Sequence, residues 1–140
     1  MSTSDIKKQS ARRFLKTAIA YFVASVICVV ITNVYALYGH GIRSGSMDFM
    51  FLFPFVGGTL VFLSAAFLTS RLPEKVCKIS RVGYNLYNSG IAALTSAAML
   101  TGIMEIAGTG SKWIQYIKVA GIVLSAAGIV CQTLTSFRKR

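Results

Sequence analysis

Carboxylates are scarce in this sequence: four aspartates and glutamates stand against fifteen lysines and arginines, for a formal net charge of +11. Histidine occurs once, as His40, and proline twice. Nucleophile, base and orienting acid cannot be assembled around one histidine, and carboxylates paired at one depth are missing. Phosphate-cradling glycine motifs of the Walker or GxGxxG type are absent as well. The three cysteines, Cys28, Cys77 and Cys131, form no CxxC pair, which argues against a disulfide framework. On these grounds no catalytic residue, cofactor or metal ligand is expected.

What the chain has instead is apolar length. Hydrophobic residues make up 54% of it and charged residues 14%, where a soluble domain carries about 25% charged. Four windows are apolar all round and reach the roughly 20 residues that a helix needs to cross a hydrocarbon core about 30 Å thick. They run from about 14 to 37, 47 to 69, 82 to 106 and 113 to 135. Between them stand Gly39-His40-Gly41 with Ser44-Gly45-Ser46, then Arg71-Leu72-Pro73-Glu74-Lys75, then Gly108-Thr109-Gly110-Ser111, all turn or polar signals. Backbone groups in lipid must find partners within their own segment, so the spans are helices. The expected fold is therefore all-α, one transmembrane domain of four helices in an antiparallel bundle, preceded by a basic juxtamembrane segment over 1–13.

The basic residues alternate between loops. Lys7, Lys8, Arg12, Arg13 and Lys16 precede the first span, Arg71, Lys75, Lys78 and Arg81 join the second to the third, and Arg138, Lys139 and Arg140 close the chain. Against these five, four and three, the other loops hold only Arg43 and Lys112. Retention of basic loops on the cytoplasmic side places both termini in the cytoplasm and the protein in the cell membrane. Charges gathered in this way are explained by a bilayer with anionic inner-leaflet lipids, and nucleic acid is not an expected partner. His40 and Cys77 then fall on opposite sides, which excludes a shared zinc. A signal-peptide reading of the first span, with Val34-Tyr35-Ala36 as its cleavage site, is weaker than an anchor, because apolar residues continue on both sides of Thr17 to Ile31. Ile6 to Lys16 is expected to lie along the inner leaflet before the chain enters the membrane.

Helices in lipid associate through small residues that let backbones approach. Ser89, Ala93, Ala97 and Thr101 form such a stripe on the third span, and Gly121, Ser125 and Gly128 on the fourth. Glu105 and Lys118 continue these stripes near one membrane surface, where the lysine is expected either to pair with the carboxylate or to snorkel outward. Trp113, Tyr116, Tyr35 and Tyr38 read as an interfacial belt. Asp48 is expected to cap the second span, and Pro54 with Gly57-Gly58 to kink it. His40, Arg43, Asp48, Glu105 and Lys118 together make the candidate outer vestibule. On the inner side, Asn85 and Asn88 are placed to bond between helices or to sit among headgroups.

Several four-span families can be compared on particular residues. The chain is similar in length to small multidrug exporters, but no carboxylate stands between Phe14 and Leu37, where they depend on one. It resembles small fluoride channels in span count, yet its charge bias opposes their insertion in both directions. Disulfide-forming membrane oxidoreductases need CxxC. Arg81-Val82-Gly83-Tyr84-Asn85 resembles a stretch of membrane glutathione transferases without their accompanying histidine and glutamate. The remaining expectation is an accessory or scaffold subunit that acts through helix contacts, with itself or another membrane protein as partner. The alternative is a homo-oligomeric channel or transporter with a polar path near Asn33, Glu105, Lys118 and Gln132.

Overall fold

The computed structural model describes residues 3–71 and 80–137, and it is all-helical there. Cys77, Lys75, Lys78 and the closing Arg138-Lys139-Arg140 lie outside the described residues. Helix α1 runs Thr3–Tyr38, α2 Gly45–Asp48, a π-helix Phe53–Leu60, α3 Val61–Arg71, α4 Arg81–Ile106 and α5 Lys112–Phe137. Counting α2 through α3 as one broken segment, four helical stretches are long and apolar enough to cross a membrane. Their outward surface is largely apolar on α1, α3 and α5, with Ile19, Phe22, Phe67, Val119 and Ile122 all more than half exposed, while α4 exposes Asn85, Ser89 and Ser96 beside Val82 and Leu100. In water such a surface would drive aggregation, whereas in lipid it is the required coat.

Helix α1 has 36 residues and no interruption. At 1.5 Å per residue it is about 54 Å long, well beyond the roughly 30 Å of hydrocarbon. The expected bend of Ile6 to Lys16 onto the membrane surface is therefore not found. Its cause is local: neither glycine nor proline occurs between Thr3 and Tyr38, and lysine, arginine, glutamine and alanine all favour continued helix.

The second span departs further from expectation. Ser44, in extended conformation, caps α2 by accepting the Met47 N–H at 3.4 Å, so the cap expected of Asp48 belongs to Ser44, and Asp48 ends that short helix instead. Beyond it the weakness expected at Pro54 and Gly57-Gly58 takes the form of a π-helix with proline in its first turn. Proline supplies no N–H to the ladder, and the wider turn brings the glycines against their neighbours. The Tyr21 ring lies where a Cβ on Gly58 would stand, and Ile91 Cδ1 is 2.6 Å from the Cβ position of Gly57. Tyr87 donates its hydroxyl hydrogen to the Gly57 carbonyl at 2.6 Å, giving a partner to a backbone group in the π segment.

Two packing centres hold α1, the second span and α4 together. Near one end Cys28, Met47, Met50 and Ala98 are buried, ringed by Ile31, Tyr35, Ile103 and Ile106. Towards the other, buried Phe62 contacts the rings of Phe14, Tyr21, Tyr84 and Tyr87 at centroid distances of 5.5 to 6.1 Å. Helix α5 packs chiefly on α4. The contact is close: Gly83 meets Gly128 and Gln132, and Gly90 meets Gly121 and Ser125. Of the stripe expected on α4, Ala97 is fully buried and Ala93 and Thr101 are half-buried, but Ser89 is exposed. The closest backbone approaches on α4 come from Gly83 and Gly90, because only glycine lets the two chains touch there.

Candidate functional site

Glu105 is the penultimate residue of α4, where the helix presents unpaired carbonyls and the negative end of its dipole. A carboxylate is misplaced there unless donors compensate it. The helix closes through Ala107 N–H to the Ile103 carbonyl at 3.0 Å and Gly108 N–H to that of Glu105 at 3.2 Å, with Gly108 in the left-handed region at φ 68°. The carboxylate itself is met from the second span. Ser44 Oγ donates to Oε2, and Ser46 Oγ donates to Oε1 at 2.8 Å.

Ser44 thus has two tasks. Its hydroxyl donates to Glu105 and accepts from Met47 N–H, so one side chain caps α2 and ties it to the end of α4. Met47 follows immediately and is almost wholly buried. It sits against Gly102, whose Cβ would lie 2.5 Å from Met47 Cβ. Thr32 completes the join from α1, donating towards the Met47 carbonyl at 3.0 Å and the Cys28 carbonyl at 3.1 Å. Three helices are therefore fastened at one point by hydroxyl groups and one carboxylate.

The residues of the candidate vestibule are distributed differently. Arg43 donates to Asn33 Oδ1 at 3.2 Å, and Asn33 in turn donates to the Val29 carbonyl at 2.8 Å. His40 is exposed in a left-handed turn at φ 53°. Asp48 is half-buried at the end of α2. Lys118, half-buried on α5, reaches Glu105 through its charge alone, and among the described residues no ion pair joins them. The partners of Glu105 are serines that stand out in the sequence only as turn formers. A signal was present, since Ser44 and Ser46 flank Gly45 at the same expected depth as Glu105.

At the opposite end the polar groups are again joined to one another. Tyr21 donates to Asn88 Oδ1 at 2.8 Å, and Thr17 and Tyr84 share a hydrogen bond of 2.6 Å. Gln132 Oε1 accepts the Ser80 N–H at 3.0 Å, tying the end of α5 to the start of α4. Asn85 is exposed. Trp113 and Tyr116 are exposed with ring centroids 5.8 Å apart, and Tyr38 is exposed too, while Tyr35 packs inward on the Met47 centre. Cys28 and Cys131 are free thiols, and the Cys131 sulfur lies 3.8 Å from Ser80 Oγ.

Chemically this arrangement can hold helices together. Its carboxylate oxygens are engaged by hydroxyl hydrogens, its histidine is exposed in a turn, and among the described residues no three histidine, cysteine or acidic side chains gather as a metal site. Comparison with known proteins adds no relative: no protein-family model, curated protein or solved structure matches this chain.

Proposed function

We propose that this chain is a small multi-pass protein of the cell membrane, without catalytic machinery, that serves as an accessory or scaffold subunit of a larger membrane complex and acts through helix contacts. In this reading the four spans form an antiparallel bundle with both termini cytoplasmic, as the basic loops favour. The observation that carries it is the placement of the polar side chains. Asn33 and Glu105 are joined to partners at one end, Gln132 and Asn88 at the other, and Ile91 and Ala97 are buried between the ends. Polar groups so arranged cement helices, whereas conduction needs a continuous polar lining. Helix α5 adds a surface for a partner: it packs chiefly on α4 and leaves Val119, Ile122, Val123 and Ile129 exposed.

The alternative is a homo-oligomeric channel or transporter whose path passes the exposed carboxylate of Glu105 and the half-buried Lys118. Liposomes holding only this protein separate the two. The subunit reading expects no flux, together with recovery of unrelated membrane proteins after mild-detergent pull-down. Flux that Lys118→Ala or Glu105→Gln abolishes would replace it with the channel. Labelling of Cys77 by a membrane-impermeant maleimide from outside intact cells would overturn the cytoplasmic placement of its loop.

A further inference from the structure

At the Phe62 end of the bundle a pocket of about 430 Å³ opens between α1 and α4, lined by Arg13, Lys16, Thr17, Arg81, Tyr84 and Asn85. Spacing explains the lining. Residues 13, 16 and 17 stand at i, i+3 and i+4 on α1, and residues 81, 84 and 85 repeat that pattern on the first turn of α4, so each triplet shares one helical face. The bond between Thr17 and Tyr84 and that from Tyr21 to Asn88 hold the two faces together.

The hydrogens in the pocket are not all free. Thr17 donates to the Arg13 carbonyl at 3.0 Å, so the proton it shares with Tyr84 comes from Tyr84. Both hydroxyls are therefore committed. What remains for a ligand is the guanidinium groups of Arg13 and Arg81, the ammonium of Lys16 and the amide of Asn85. Among the described residues, none of the three cations is in an ion pair. Three like charges facing one pocket repel each other, and the positive end of the α4 dipole adds to them. An anion is the complement that the described residues do not supply.

Size and surroundings narrow its chemistry. Two guanidinium forks approaching from different helices suit a tetrahedral phosphate, which offers several oxygens to planar donors. A volume of about 430 Å³ is much larger than a bare phosphate requires and within the range of small-molecule sites. Tyr84 of the lining contacts the Phe62 ring at 5.5 Å, Phe62 in turn stacks on Phe14 at 6.1 Å, and Leu15 and Val82, sequence neighbours of lining residues, are exposed. Charge in the pocket and apolar surface beside it match a phospholipid, with its phosphate in the pocket and its chains against the helices.

We propose that the pocket between α1 and α4 binds the phosphate of an anionic phospholipid headgroup through Arg13, Lys16, Arg81 and Asn85. The inference rests on the membrane reading only for lipid as the source of that phosphate. Its test is a titration of the detergent-solubilised full chain with short-chain phosphatidic acid, phosphatidylcholine and inorganic phosphate. Phosphatidic acid should bind tightest. The double variant Arg13→Gln/Arg81→Gln should bind it about a hundredfold more weakly, about tenfold for each guanidinium removed from the phosphate. Arg43→Gln, at the other end of the molecule, should leave binding unchanged. Lys16→Gln, in which one exposed lysine is altered, should weaken binding about fivefold and serves should the double variant unfold. Equal affinity in wild type and in a folded pocket variant would overturn the site, as would an equal weakening in Arg43→Gln. Equally tight, arginine-dependent binding of inorganic phosphate would overturn lipid as the ligand. Release of the chain from membranes by alkaline carbonate would sink the membrane reading separately, since the titration does not depend on it.

Discussion

A single methyl group at Gly128 tests the contact between α4 and α5. A Cβ there would stand 2.6 Å from Tyr87 N, 2.8 Å from Tyr87 Cα and 2.8 Å from the Gly83 carbonyl oxygen. Ordinary contact begins at 3.4 Å, so the nearest shortfall is 3.4 minus 2.6, or 0.8 Å. All three atoms are backbone, and none can swing aside as a side chain would. The helices must separate, or α5 must rotate, and overpacking of this kind costs about 1–3 kcal/mol. Alanine returns up to about 1 kcal/mol of helix propensity. Gly128→Ala should therefore lower unfolding stability by about 1–2 kcal/mol, read in detergent or nanodiscs by chemical unfolding. Gly110→Ala supplies the control, since nothing lies within 4 Å of its Cβ position. Gly83→Ala faces the Gly128 carbonyl at 3.0 Å and should cost less once Gly128→Ala has parted the helices, which a double-mutant cycle measures. Gly128→Ala as stable as wild type would refute the close approach.

Three further substitutions probe other joins. Ser125→Ala, in the same interface, should have the opposite sign: its buried hydroxyl has no hydrogen-bond partner among the described residues, and removing it should raise stability by about 1 kcal/mol in the same unfolding assay. Tyr87→Phe leaves the Gly57 carbonyl without its hydroxyl donor and should cost about 0.5–2 kcal/mol, with faster hydrogen exchange over 53–60; unchanged exchange there would count against that bond. Ser44→Ala removes the α2 cap and a donor to Glu105 and should cost about 1–2 kcal/mol. In a Glu105→Ala background it should cost less, since only the cap is then removed, and full additivity would argue against the Ser44 to Glu105 bond.

Apolar length is a local property, and it was legible. Four windows of sufficient hydropathy, separated by glycine, proline and charge, give helices whose bounds differ from the expected spans chiefly at the ends. The unbroken extension of α1 to Thr3 was also present in the sequence, in the lack of any glycine or proline, but the tendency of basic residues to lie on a membrane surface argued for a turn. Pro54 with Gly57-Gly58 marked a weak helix without telling its form. A π-helix arises there together with the Tyr21 ring, Ile91 and the Tyr87 hydroxyl, all of which come from other helices.

The partner of Glu105 was beyond reach of the sequence for a related reason. Nearness to the turn suggested Lys118, yet which residue meets a carboxylate depends on how far each helix is rotated about its axis and at what depth it sits. Ser44 and Ser46 reach it because Met47 seats against Gly102, a contact between segments 55 residues apart. The stripe on α4 turned on the same quantity: small residues four apart marked one face, while the closest approach to α5 falls on Gly83 and Gly90. Hydropathy and charge add up residue by residue along a segment, so long apolar helices with basic ends follow from the order of amino acids alone. Which faces of those helices meet does not, because rotation and depth are set by packing among all the helices at once.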